Sequence, residues 1–357
     1  MLSSILKSSR SIHSRIRMNK LITFFQSAFT SRSSFVQHPQ PSLNNFRPNN
    51  PFEQSVKPPL PEQTISIPEI SSQNPCLTCQ SPCSTHLSYP SELKIDHELP
   101  LKNTVQPYVR HVVICTGKKD WEKVIELEKG SLSSELFNLN AVDSPVIKKE
   151  PPLKTISTQK KAKKEKILIT NSSCPSSFSL FNRGNDVLLF PDNLLISKVS
   201  TQKAKEFYNL FLSSEKRETQ DESEGEEKFE TMLIPYKSVI LICGHKRRDI
   251  RCGVAGPMLK DEFDKVLEDM KLDIQSSGNK GVAVYLSSHV GGHHFAGNVI
   301  VYRDGQGIWY GRVTPCHVRM IVEKTVMEGK VIKELYRGSM LGSFSKGDEG
   351  QAGKLDW

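Results

Sequence analysis

SVILICGHKRRDIRCGVAGP, residues 238–257, opens on an apolar run and closes on glycines and a proline. The run Ser238 to Cys243 is rich in β-branched residues, which predicts a buried strand that delivers Cys243 to its carboxyl end. Cys252 follows after eight residues and is flanked by Gly253, Gly256 and Pro257. This segment reads as a loop whose backbone folds close around an inorganic core. A second unit of the same kind is VAVYLSSHVGGHH, residues 282–294. Its apolar run Val282 to Leu286 hands over to His289, and Gly291 and Gly292 turn the chain back to His293. Two thiols and two imidazoles thus form one candidate ligand set: Cys243, Cys252, His289 and His293.

Thiolate and neutral imidazole suit zinc and iron-sulfur iron. Four such donors complete either one tetrahedral ion or the outer coordination of a two-iron cluster. Spacing leaves this choice open. The histidine pair fits a structural zinc site, but the gap between the cysteines is longer than such sites favour. A zinc-protease helix is a weak reading of His289 and His293, because the glutamate of HExxH is missing and two glycines would cost roughly 2 kcal/mol in a helix interior. A Rieske centre pairs Cys with His within each segment, whereas here Cys pairs with Cys and His with His. The competing reading makes the cysteines small buried hydrophobes and the histidines polar loop residues.

The surrounding pattern predicts an α/β fold. A helix is expected near Pro257 to Leu272 and a hairpin from Asn298–Arg303 and Gly307–Arg312 through Asp304-Gly305-Gln306. A helix then follows from Pro315 to about Met327, with Thr314 and Pro315 as cap and first residue. Upstream, strands are expected at Arg110–Cys115, Glu165–Thr170 and Asp186–Phe190, and helices near Asp120–Lys129 and Gln202–Leu212. At 357 residues and 37% hydrophobic content, the chain fits two modest cores. The expected division is a tail at 1–70, an N-terminal domain at 71–213 with a Lys-rich insertion at 147–166, an acidic linker at 214–230, a C-terminal domain at 231–337 and a tail at 338–357.

CGHKRRDIRCGVAGP, SSHVGGHHFAGNVIVY and GIWYGRVTP together resemble the sucrase/ferredoxin-like family, and within it the fungal altered-inheritance-of-mitochondria branch. The resemblance covers roughly Lys237 to Pro315 and continues more weakly through CLTCQSPC, HLSYPSELKID and YVRHVVICTGKKDW upstream. It implies a thioredoxin-like ferredoxin domain with a [2Fe-2S] cluster on Cys243, Cys252, His289 and His293, preceded by a degenerate domain of similar class. A three-layer sandwich with the cluster under loops at the strand ends is the expected form. His294 competes with His293 for the last ligand position, and with His245 and Arg248 it is expected to surround the ligands. No paired carboxylates are placed for glycoside hydrolysis, so a redox carrier is expected rather than a hydrolase.

Residues 1–52 hold seven Lys or Arg and no acid, and their Arg- and Ser-rich composition is that of a mitochondrial presequence. Leu355-Asp356-Trp357 resembles the terminal signal read by the cytosolic iron-sulfur targeting machinery, which keeps an additional cytosolic pool open. Neither a membrane span nor a nucleic-acid-binding module is found, and Gly305, Gly307 and Gly311 miss the dinucleotide spacing. Cys76, Cys79, Cys83 and His86 form a second candidate set. It suits a zinc ion, and Cys76 with Cys79 suits a thiol-disulfide oxidoreductase. The expected function is mitochondrial electron transfer or redox sensing through one [2Fe-2S] cluster, with a reductase and an electron acceptor as partners. The alternatives are a zinc-stabilised scaffold and the thiol oxidoreductase. Lys246, Arg247, Arg248 and Arg251 in the ligand loop are expected to favour the reduced cluster.

Overall fold

The computed structural model describes residues 86–142, 166–176, 184–213, 229–303 and 305–343. The candidate presequence, Cys76, Cys79, Cys83, most of the Lys-rich and acidic segments and Leu355-Asp356-Trp357 lie outside the described residues.

Among the described residues, ten strands form one continuous sheet. The first half contains β1 (Arg110–Cys115), β2 (Ile167–Ser172), β3 (Asn185–Phe190), β4 (Leu194–Val199) and β5 (Glu230–Leu233). The second contains β6 (Ser238–Cys243), β7 (Val282–Ser287), β8 (Val299–Arg303), β9 (Gln306–Tyr310) and β10 (Tyr336–Ser339). Within each half the wiring is the same: β1 runs parallel to β2 and antiparallel to β3, as β6 runs parallel to β7 and antiparallel to β8. β3–β4 and β8–β9 then form matching hairpins.

The halves join where the carboxyl ends of β2 and β7 meet, through the antiparallel pair Ser172 and Ser287. The seam is nearly symmetric. The Ser173 N–H donates to the Leu286 carbonyl at 2.8 Å and the Ser288 N–H to the Asn171 carbonyl at 2.8 Å. In return Ser173 Oγ accepts from the Leu286 N–H at 2.9 Å and Ser288 Oγ from the Asn171 N–H at 3.0 Å. Small hydroxyl side chains fit here because each supplies the acceptor that a buried backbone N–H requires.

Alternation of side chains along the strands sorts the apolar residues into three cores. Val112, Ile114, Ile167 and Ile169 pack with Leu132 and Leu136 of α1 (Leu132–Val142) and with Phe207 and Tyr208 of α2 (Ala204–Phe211). Ile240, Ile242, Val284 and Leu286 pack with Leu259, Phe263 and Val266 of α3 (Ile250–Asp269) and with Val318, Ile321 and Val322 of the helical stretch 318–327. The opposite faces of the two halves share the third core, in which Val113, Leu188 and Phe190 meet Val239, Leu241 and Ile300. Phe190 stacks on Tyr302 with ring centroids 3.9 Å apart. The sheet therefore folds back on itself at the seam, giving layers in the order helix, sheet, sheet, helix rather than two separate three-layer sandwiches. A buried polar chain fastens the shared core: His111 bonds Tyr302 OH at 2.7 Å and Thr170 Oγ1 at 2.8 Å, Tyr302 bonds Tyr108 OH at 2.8 Å, and Trp309 Nε1 donates to Tyr108 OH at 2.7 Å.

The α/β class is as expected, and several boundaries differ. α3 begins at Ile250, not near Pro257, because Asp249 caps it by accepting from the Arg251 N–H at 2.9 Å. The expected helix at 120–129 is only a short turn, Ile125–Leu127. Gly130, at φ 75°, breaks the chain there, and Ser131 Oγ accepts from the Ser134 N–H at 3.1 Å to start α1. β2 lies two residues later than expected. β5, placed by the sequence at the start of the C-terminal domain, pairs with β4 and so extends the first half. Gly338 and Ser339, placed in the tail, complete β10.

Candidate metal centre

Cys243 ends β6, and Cys252 sits in the first turn of α3. What brings them together is the close approach of that helix to the strand end. A Cβ on Gly256 would stand 2.7 Å from the Cys243 carbonyl oxygen, and one on Gly253 would stand 2.5 Å from Lys246 Cβ. The two glycines cost helix propensity of about 1 kcal/mol each. In exchange the helix start lies directly against the loop. Both thiols are buried, each about 1% exposed. The hydrogen bond from Cys252 holds the Cys243 thiol well below its ordinary value, helped by a hydrogen bond from His289 and opposed by burial. The same bond pushes Cys252 up.

The histidine loop leaves β7 beside Cys243. Gly291 and Gly292 take positive φ of 87° and 66°, the left-handed turn that brings His293 back over the strand ends. His245, fully buried, orients the loop: its Nε2 lies 3.1 Å from the Trp121 carbonyl, and its Nδ1 accepts the His289 N–H at 3.1 Å. The rings of His289 and His293 lie 5.3 Å apart. The Nδ1 atoms of both rings are buried and have no hydrogen-bond partner among the described residues. Burying such a nitrogen without a partner costs about 1–3 kcal/mol, so these two atoms are placed to act as donors to something else. On its other side, His293 Nε2 lies 3.8 Å from Asp249 Oδ2, the carboxylate position that commonly backs a metal-bound imidazole. Burial lowers the His293 pKa, which keeps the ring neutral.

The structure thus gathers all four predicted ligands at the carboxyl ends of β6 and β7. Two buried sulfurs and two bare imidazole nitrogens are a donor set that fits a thiolate- and imidazole-ligated group. Among the described residues, no three His, Cys, Asp or Glu side chains converge as around a single ion. A two-iron cluster places no such demand, since four protein donors shared by two irons leave two at each.

His245 touches the histidine loop, whereas Arg248 donates to the Lys123 carbonyl at 3.4 Å. The His294 ring lies tilted against Phe295 with centroids 4.0 Å apart, and its carbonyl accepts from the Asp96 N–H. Two loop cations expected to act on the site are paired with acids: Arg247 with Glu122 at 2.5 Å and Arg251 with Asp249 at 2.8 Å. Among the described residues, Arg337 on β10 is a fully buried cation beside the histidine loop, which the sequence reading missed. Of the second candidate set only His86 is described, 3.6 Å from Glu262. The first half keeps a partial echo of the centre. Cys115 ends β1 as Cys243 ends β6, Cys174 follows β2 as His289 follows β7, and the Cys115 and Cys174 thiols are hydrogen-bonded to each other. No helix among the described residues is long and apolar enough to cross a membrane.

The profile of one family, described as sucrase/ferredoxin-like, matches residues 101–338, which spans both halves of the sheet and the centre. The chain belongs to the sucrase/ferredoxin-like family. It is 32% identical to altered inheritance of mitochondria protein 32 of Debaryomyces hansenii over 281 residues, covering 70% of this chain and 89% of that one. To the protein of the same name from Meyerozyma guilliermondii it is 31% identical over 272 residues, covering 71% and 89%. Among solved structures it is similar to a thioredoxin-like [2Fe-2S] ferredoxin from Aquifex aeolicus, at 21% identity and a TM-score of 0.23, over 29% of this chain and 91% of that one.

Proposed function

We propose that Cys243, Cys252, His289 and His293 hold a [2Fe-2S] cluster and that the chain is a mitochondrial electron carrier or redox sensor. The observation that carries this reading is the pair of buried, unpartnered Nδ1 atoms beside the buried cysteine pair. Such a cluster takes up and returns one electron. The protein's own part is to supply both thiolates from a buried pair, to fix His289 through His245, to hold His293 near Asp249, and to exclude water from both thiols. Neutral imidazoles in place of two thiolates leave the site less negative, which favours the added electron.

Anaerobically isolated protein is expected to be brown, with iron and acid-labile sulfide at about two each per chain. A colourless preparation with stoichiometric zinc and no iron defeats this reading in favour of a zinc-stabilised scaffold. The location follows from the acid-free, Arg-rich start of the sequence and agrees with the name borne by the relatives from Debaryomyces and Meyerozyma. Deleting residues 1–35 is expected to move the protein from mitochondria to the cytosol, and unchanged fractionation of that deletion refutes the address.

A further inference from the structure

Arg337 is among the largest fully buried side chains, 1% exposed, and the partners of its guanidinium are all neutral. Nε donates to Thr104 Oγ1 at 3.0 Å, Nη2 to the Thr104 carbonyl at 3.4 Å, and Nη1 to Asn298 Oδ1 at 2.8 Å and to the Gly291 carbonyl at 3.3 Å. The rings of Phe295 and Trp309 lie 5.3 Å and 5.8 Å from it. No carboxylate among the described residues lies within ion-pair reach of it. A buried charge without a counter-charge is strongly destabilising. The opposite charges that act on Arg337 are those of Cys243 and Cys252, and although burial pushes its pKa down to about 10, it remains a cation at neutral pH.

The histidine loop is built around this cation. A Cβ on Gly292 would lie 2.3 Å from Arg337 Nη2, so only glycine lets the loop backbone rest on the guanidinium. Asn298 completes the clasp, accepting from Arg337 and donating through Nδ2 to the Gly292 carbonyl at 2.9 Å.

We propose that Arg337 is the fixed counter-cation of the Cys243, Cys252, His289 and His293 centre: it offsets the thiolate charge, biases a bound cluster toward its reduced, more negative form, and positions the histidine loop through the Gly291 carbonyl. This rests on the cluster reading above. A positive charge held in a dry interior acts on the cluster with little screening, whereas the paired surface cations Arg247 and Arg251 are largely neutralised by their acids.

The test uses the full chain isolated without oxygen. Iron, sulfide and the visible spectrum establish loading, and a redox titration then gives the midpoint potential. Arg337→Lys keeps the charge, Arg337→Gln removes it, and Asn298→Asp places a carboxylate where Arg337 already donates. Arg337→Gln and Asn298→Asp are each expected to shift the reduction equilibrium about tenfold toward the oxidised form, about 59 mV for one electron. Arg337→Lys is expected to stay near the wild-type value. If Arg337→Gln does not fold, Asn298→Asp decides alone. Loaded variants that titrate at the wild-type potential, or an Arg337→Lys variant that shifts as far as Arg337→Gln, overturn the proposal and leave Arg337 a packing residue. Wild-type protein that carries no iron and sulfide instead refutes the cluster reading itself.

Discussion

Cys243→Ser and Cys252→Ser are each expected to leave the purified protein colourless, with iron and labile sulfide falling from about two per chain to near zero. A serine hydroxyl stays protonated at neutral pH and supplies no thiolate to iron, and in a site with two cysteines each loss removes half the sulfur ligation. The structure also explains why neither substitution should cause general unfolding. Both sulfurs sit at the edge of the core, at a strand end and a helix start, so the strand and helix cores of the second half keep their packing. Circular dichroism unchanged from wild type, together with absent colour, is the expected result. His293→Ala should likewise lose the cluster, whereas His294→Ala should keep it, since it is the Nδ1 of His293 that is bare and buried while His294 lies against Phe295. The reverse outcome would reassign the fourth ligand. His293→Cys should retain a cluster and lower its potential, on the order of 100 mV, because a charged ligand replaces a neutral one.

The candidate site was legible because Cys243 and His289 each stand at or just after a run of β-branched residues that reads as a buried strand, and the hairpin of β8 and β9 was legible from its glycine turn. The start of α3 was not. Gly253, Gly256 and Pro257 carry the composition of a loop, and they stand in a helix because the helix must touch the Cys243 carbonyl, a tertiary requirement that outweighs local propensity. α1 has a local signal, Gly130-Ser131 before apolar residues at 132 and 136, which the charged stretch before it obscures. Arg337 had none. Its role depends on β10 lying beside β9 and reaching under a loop far back in the chain, and one arginine in YRGS looks like any surface arginine on an edge strand. Arg247 and Arg251 are the converse: sequence proximity to the candidate ligands is plain, while the acids that pair with Arg247 come from residues 120–122 and are not visible locally.

Acid is expected to weaken the fold well before its carboxylates titrate. His111 is buried in the shared core, where burial holds its pKa near 3 instead of 6.5, and burial likewise holds His317 near 4. Above pH 6.5 both rings are neutral in the native and the unfolded chain, and stability is unaffected by pH through them. Below pH 6.5 the unfolded chain takes up protons that the native state refuses, so stability falls, and for His111 it goes on falling until about pH 3. At about 1.36 kcal/mol for each pH unit, His111 alone removes on the order of 2–3 kcal/mol by pH 4.5, a large share of an ordinary domain's stability of about 5–15 kcal/mol. His317 acts in the same direction. Urea unfolding at a series of pH values between 6.5 and 4.5 gives the number of protons taken up on unfolding, which should approach two or more at the acid end. His111→Gln keeps a donor and an acceptor for Tyr302 and Thr170 and removes the titrating ring, so it should lower that number by about one. An unchanged pH dependence in this variant would mean that His111 already accepts a proton inside the native core and that the hydrogen-bonded chain through Tyr302 and Tyr108 can carry its charge.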